Sequence, residues 1–504
     1  MTWDVLVQAF GLVTQPYTLG VMLLAAMFGL FVGSMPGLTA TMATALLIPF
    51  TFFMDPVPAI SVIVTAVATA IFAGDIPGAL LRIPGTPASA AYCDETYAMT
   101  RKGLAERALG IGLVTSVIGG LVGAVVLSFS APFLAKFAIK FSSFEYFWLA
   151  CLGLSCAVII SSGSTIKGFV SLLIGLFIAT IGIDGTAGHP RFTFGNVELM
   201  AGISFIPAMI GMFAISEVLR YVASTHKPLT VPNHPPSPVF RGLGPILRKY
   251  KMNIVQGSGL GAIIGILPGA GADIAAWISY ALAKKRSKTP EKFGTGHPEG
   301  LVAAGAANNA SIAGAWVPAI VFGIPGDSIT AVVIGVLYMK GMNPGPMVFI
   351  QSPELIYAVF MAFFLANLAL LPLGFAAIRM SRQVLRVPQR ILMPIILMFC
   401  VVGAFAINNT VFGVTLMLAL GILAYIMEEN GFPVAPAILG IVLGGMVEDN
   451  FMSSMIKADG ELMGFFSRPI AATLGVVTIL LWMTPLLLAL WRRARRSGAD
   501  SAAP

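Results

Sequence analysis

Gly33-Ser34-Met35-Pro36-Gly37 and Gly265-Ile266-Leu267-Pro268-Gly269 are the two stretches on which the fold turns. Each sets a proline–glycine break inside an apolar run, and they stand 232 residues apart. A second pair follows in the same order. Pro77 leads over five residues to Ile83-Pro84-Gly85, and Pro318 leads over five to Ile324-Pro325-Gly326, an offset of 241. Two breaks in one order, one with a matched lead-in, mark an internal duplication. Such breaks free backbone groups that lipid cannot satisfy, so they belong where they are buried or line a cavity.

The rest of the chain fits a membrane setting. Its 504 residues are 57% hydrophobic and only 10% charged, with a mean hydropathy of +0.90. Soluble domains carry roughly 25% charged residues, so a water-soluble enzyme is excluded. Apolar runs of spanning length recur at 110–130, 146–162, 166–183 and 200–219. They return at 301–322, 355–378, 391–407, 411–427, 434–446 and 470–490. The four cysteines lie apart and offer neither a disulfide framework nor metal spacing. No Lys or Arg precedes Arg82, so no cleavable signal peptide is expected.

A polar stretch with Pro228, Pro232, Pro235, Pro236 and Pro238 divides the chain. The expected organisation is a first transmembrane repeat (1–223), a cytoplasmic linker (224–251), a second repeat (252–491) and a basic cytoplasmic tail (492–504). Charge sets the relative orientation. The flanks of Pro36-Gly37 lack basic residues, whereas Arg248, Lys249 and Lys251, then Lys284, Lys285 and Arg286, flank Pro268-Gly269. After the second break the bias reverses, with Arg101, Lys102 and Arg107 in the first half and Lys340 in the second. The positive-inside rule then predicts inverted repeats with the C-terminus in the cytoplasm. The net charge of +8 is this topology signal, with no nucleic-acid partner implied. The predicted fold is an all-helical polytopic membrane protein of about 11–12 crossings with broken or re-entrant helices. Arms of roughly 14–16 residues reach only ~21–24 Å, short of a ~30 Å crossing, which favours hairpins at the first breaks and leaves a broken full span open.

Inverted repeats with interrupted helices point to a secondary transporter, and helix starts at the breaks favour an anionic substrate. The helix-break residues are Pro36, Pro84, Gly85, Pro268, Pro325 and Gly326. Substrate-binding candidates are Gly37, Thr39, Thr41, Thr86, Ser89, Gly269, Asn308, Asn309, Ser311 and Ser328. Thr39, Thr41 and Ser89 have an ordinary reading as helix caps, and the Asn pair one as interhelical glue. Asp75, Asp273 and Asp327 are candidates for the coupling ion, since an intramembrane carboxylate suits a cation, although Asp327 equally suits an N-cap. No P-loop or His-Glu-x-x-His pattern occurs, so neither an ATPase nor a zinc hydrolase is expected, and no catalytic or metal-binding residue is assigned.

Ordered motifs along nearly the whole chain resemble the large permease subunit of the tripartite tricarboxylate transporter family. They include Leu46-Leu47-Ile48-Pro49-Phe50-Thr51-Phe52, Ile83-Pro84-Gly85-Thr86-Pro87-Ala88-Ser89-Ala90 and Gly211-Met212-Phe213-Ala214-Ile215-Ser216-Glu217. Pro268-Gly269-Ala270-Gly271, Ala307-Asn308-Asn309-Ala310, Asn343-Pro344-Gly345-Pro346 and Gly431-Phe432-Pro433-Val434-Ala435-Pro436 continue the match. The resemblance implies a bacterial inner-membrane system with a periplasmic solute-binding protein and a small four-helix membrane subunit. It further implies uptake of a di- or tricarboxylate driven by Na+ or H+, with no cofactor and no nucleic acid. The chain departs from the family at Gly305, where an acid often precedes the Asn pair; Asp75 or Asp327 is then expected to take that acid's place. A binding-protein-independent exchanger and a non-transporting receptor for the binding protein are the alternatives.

Overall fold

A computed structural model describes residues 3–160, 164–185, 188–223, 238–268, 271–385 and 387–483. The first half runs through α1 (Trp3–Val13), α2 (Pro16–Gly33), α3 (Ala40–Phe52), α4 (Pro56–Ala73), α5 (Asp75–Leu81), α6 (Pro87–Ala90) and α7 (Cys93–Arg101). It continues through α8 (Ala105–Ala138), α9 (Ser143–Ile160), α10 (Thr165–Ala179), α11 (Phe205–Met209) and α12 (Ser216–Ala223). The second half comprises α13 (Leu243–Lys249), α14 (Lys251–Ile266), α15 (Gly271–Arg286), α16 (Pro298–Phe322), α17 (Ser328–Met339) and α18 (Val348–Gln351). It closes with α19 (Pro353–Val384), α20 (Gln389–Asn408), α21 (Val411–Glu429) and α22 (Val434–Lys457). Among the described residues eight helical stretches are long and apolar enough to cross a membrane, and a two-residue β-hairpin is the one sheet. The first half of the linker, 224–237, and all of the basic tail, 492–504, lie outside the described residues.

Close helix packing fixes the architecture. Gly29 and Gly33 of α2 face Ala66 and Ala70 of α4, so the two helices run parallel. A Cβ on Gly33 would collide with the Ala70 carbonyl, and only glycine permits this approach. Between two parallel neighbours the chain has to return, and α3 is the returning arm. The second half repeats the device. Gly257, Gly261 and Gly265 of α14 face Ala303, Ala307 and Ser311 of α16, again in parallel, with α15 returning. Arg286 at the end of α15 reaches back 2.9 Å to Gln256 near the start of α14. Both first breaks are therefore hairpins. The two Asn-free arms of the first hairpin are unequal, 18 and 13 residues, while those of the second are 16 each.

The duplication read from the sequence is the duplication of the structure. The offset of 232 takes Gly33 to Gly265, and that of 241 takes Ala70 to Ser311, which are the two contact pairs. The same 241 takes Arg82 (φ 59°) to Gly323 (φ 69°), two left-handed caps that end α5 and α16. The repeats are inverted. At one end of the molecule Lys340, just after α17, donates to the carbonyls of Phe52, the last residue of α3, and of Met54. At the other, Lys102 after α7 donates 2.7 Å to the Thr295 carbonyl, in the loop that follows α15. Equivalent helices thus leave at opposite ends, and the second end is the one rich in Lys and Arg.

That basic end is held by Glu95. Its carboxylate is fully buried and accepts from the backbone N–H groups of Gly294 (2.6 Å), Gly296 (2.7 Å) and His297 (2.8 Å), and from the Tyr280 hydroxyl (2.9 Å). Four donors on one carboxylate replace its lost hydration and clamp the first repeat to the second.

Candidate functional site

Four helix starts converge between the repeats. Thr39 caps α3, accepting from Met42 N–H at 3.1 Å. Thr86 and Ser89 form a reciprocal capping box on α6, each hydroxyl accepting a backbone N–H at 3.1 Å. Asp327 and Thr330 form the same box on α17: Asp327 Oδ1 accepts Thr330 N–H at 2.7 Å, and Thr330 Oγ1 accepts Asp327 N–H at 2.9 Å. The offset of 241 takes Thr86 to Asp327, so the two boxes are repeat equivalents. The fourth start, that of α15, is at Gly271, with φ +55°.

The tips cross. Thr41, from the first hairpin, lies 3.1 Å from Ser328 at the start of α17. Asp273, its equivalent in the second hairpin, faces the backbone of Ala88 at the start of α6, and Trp277 donates 3.2 Å to the Pro87 carbonyl. Each hairpin thus docks on the second break of the opposite repeat. Free N–H groups and positive dipole ends of α3, α15 and α17 gather at this crossing.

A cavity of about 310 Å³ occupies it. Gly37, Thr39, Thr41, Thr86, Asp273, Asp327 and Ser328 line it, as do Glu217, Arg220 and Glu428. Gly37 stands at φ +89°, with the Glu217 carboxylate beside it, and the left-handed backbone there favours glycine. Arg220 pairs with Glu217 at 2.8 Å and with Glu428 across on α21. The π-helical stretch Ile210–Ile215 between α11 and α12 brings Met212 and Phe213 to the wall, and such stretches often mark functional sites.

The profile described as the tripartite tricarboxylate transporter TctA family matches residues 19–439, which hold both hairpins, both second breaks and this cavity. The chain belongs to that family. An uncharacterized 52.8 kDa protein in the TAR-I ttuC' 3' region of Agrobacterium vitis is 33% identical over 467 residues, 91% of this chain and 92% of its own. A second Agrobacterium vitis protein, in the TAR-II ttuC' 3' region, is 35% identical over 228 residues, 45% of this chain and 94% of its own. No solved structure matches the chain.

A TctA-family member is the large subunit of a tripartite transport system, and this chain is a multi-pass membrane protein. Seven of the sequence candidates line its cavity. Ser89 lies just behind, within the Thr86 capping box, and Gly269 lies outside the described residues. Asn308, Asn309 and Ser311 stand apart from the lining, buried on α16. Asn308 donates 3.1 Å to the Tyr92 hydroxyl. Asn309 donates to the Ser116 carbonyl (3.1 Å) and to Asn367 Oδ1 (2.8 Å), tying α16 to α8 and α19. Ser311 donates 2.7 Å to the Asn308 carbonyl. Asp75 lies inside the membrane segment at the start of α5, accepting 2.6 Å from the Tyr92 hydroxyl.

Sequence reasoning passed over Glu217, Arg220, Glu428 and Tyr92. The signal for the first two was present: an acid and a base three apart at the end of the apolar run 200–219. Glu428 and Tyr92 carry no such local mark, because their partners lie far along the chain.

Proposed function

We propose that this TctA-family chain is the permease of a binding-protein-dependent secondary transporter that imports a di- or tricarboxylate across the bacterial inner membrane, using a Na+ or H+ gradient. Its partners in this reading are a periplasmic solute-binding protein and a small four-helix membrane subunit. The crossing of each hairpin tip over the opposite repeat's second break supports the reading best. It gathers the N-termini of α3, α15 and α17 with Thr39, Thr41, Thr86 and Ser328 around one cavity, a setting suited to carboxylate oxygens.

The charge balance there supports coupling. Among the described lining residues Asp273, Asp327, Glu217 and Glu428 face one base, Arg220. A polyanion entering such a cavity meets repulsion unless cations or protons offset the carboxylates. Asp273 and Asp327 are the groups assigned to that task, because they stand at the helix starts where the substrate is placed. No cofactor is required.

The deciding experiment is labelled-carboxylate uptake into proteoliposomes holding the chain with its small membrane partner. The panel contains citrate, tartrate and an aromatic dicarboxylate, with and without a sodium or pH gradient and the loaded binding protein. Uptake requiring both gradient and binding protein is the expected result. Uptake without the binding protein supports the exchanger, and silence across the panel in folded protein defeats the transport reading.

A further inference from the structure

Behind the cavity wall, one turn beyond Ile71, a buried polar cluster joins the two repeats. Asp75 is 3% exposed; its Oδ1 accepts from the Tyr92 hydroxyl at 2.6 Å, and that hydroxyl in turn accepts from Asn308 Nδ2 at 3.1 Å. With Asp75 ionised the direction of both bonds is fixed, because the tyrosine has one proton and a carboxylate can only accept it. Two acceptors are then left over. Asp75 Oδ2 and Asn308 Oδ1 are both buried and have no hydrogen-bond partner among the described residues.

Charged and titratable neighbours do not relieve this. Helix α4 contains no ionisable side chain. From the turn into α7 come Tyr92 itself and Cys93, whose thiol is turned to the Gly78 carbonyl. Farther along α7 and α5, Asp94 pairs with Arg82 at the surface, and Glu95 is saturated by four donors. From α8 the approach to Oδ2 is made by Gly112, while Glu106 pairs with Arg382 and Arg107 lies against Gly242. From α16 the cluster receives Asn308, and α6 contributes the non-ionisable Thr86 and Ser89. An ionised carboxylate here would be buried in a membrane helix with one neutral donor and no cation.

We propose that Asp75 is a proton-binding site of the transporter, carrying its proton on Oδ2, within a relay formed by Tyr92 of the first repeat and Asn308 of the second. A proton on Oδ2 turns one of the two unmet acceptors into a donor and removes the uncompensated charge. Losing it leaves a carboxylate held by Tyr92 alone, so deprotonation and the fit between the repeats are coupled. This makes H+ a coupling ion, a consequence that rests on the transport reading above; the protonation itself does not.

The test is infrared difference spectroscopy of the purified full-length protein in lipid nanodiscs across a pH series. The expected result is a protonated-carboxyl C=O band that is absent in Asp75→Asn and present in Asp273→Asn. In Tyr92→Phe, which removes the donor that favours the ionised form, the band should survive to higher pH. A spectrum unchanged in Asp75→Asn overturns the proposal, as does loss of the band when sodium chloride replaces choline chloride at fixed pH, which reassigns the site to a metal cation. In proteoliposomes, Asp75→Asn should keep exchange of labelled citrate or tartrate while losing at least tenfold of the uptake driven by a pH gradient. Should the unaltered protein move no carboxylate at all, the transport reading fails, and the infrared result still decides the proton site.

Discussion

Thr41 Oγ1 lies 3.1 Å from Ser328 Oγ, joining residues 287 apart in the chain and on opposite repeats. Its counterpart under the repeat symmetry sets Asp273 against the backbone of Ala88. One crossing is neutral and the other carries a carboxylate, so the pseudo-symmetry of the backbone is broken by chemistry at the cavity itself.

The hydroxyl pair should behave as a unit. Thr41→Val and Ser328→Ala each remove one partner of a hydrogen bond worth about 1 kcal/mol, and the double variant should lose less than the sum. Carboxylate uptake measured over a double-mutant cycle checks this, with a coupling of about fivefold expected. Additive losses would place no functional bond between the two side chains.

At the equivalent caps, exchanging the residue types separates structure from charge. Asp327→Thr installs what Thr86 already provides, an N-cap that accepts from the third helical N–H. The variant should melt within a few degrees of the unaltered protein but respond differently to the driving cation. Asp327→Ala, by contrast, should cost about 1 kcal/mol of stability as well.

Glycine packing sets the hairpins against their neighbours. Gly33→Ala and Gly265→Ala each drive a methyl into an opposing carbonyl, of Ala70 and Ser311. Overpacking of this kind costs about 1–3 kcal/mol, and a lowered melting temperature in detergent is expected for both. Gly20→Ala, where nothing lies within 4 Å, is the control and should melt unchanged.

Glu95→Ala leaves three backbone N–H groups without their acceptor. The loss should exceed about 2 kcal/mol, because bonds to a charged acceptor are among the stronger ones. Limited proteolysis reports it directly: the segment 287–297 should become the first site of cleavage.

Much of the fold was legible in the sequence because its cause is local. Pro36-Gly37 and Pro268-Gly269 end helices wherever they occur, and the matched offsets of 232 and 241 reappear as matched contacts. The hairpins needed more. Charge on the flanks suggested them, but the parallel contacts of Gly33 with Ala70 and Gly265 with Ser311 decided them against a single broken span. At the site, Thr39 and Thr86 were named for position beside the breaks and prove to cap helices and line the cavity together. Asn308 and Asn309 were named for being amides in an apolar span, a property that fits interhelical bonding as well as binding.

By itself the sequence determined the membrane setting, the duplication, its inverted sense and the family, since composition, helix breaks and basic clusters act over a few residues at a time. Tertiary structure alone decided which tips cross and which carboxylates share a cavity. It also decided that Asp75 meets Tyr92 and Asn308 rather than Asp273 or Asp327. Those pairings span up to hundreds of residues and depend on helix register, which a parallel glycine contact sets and no local pattern records.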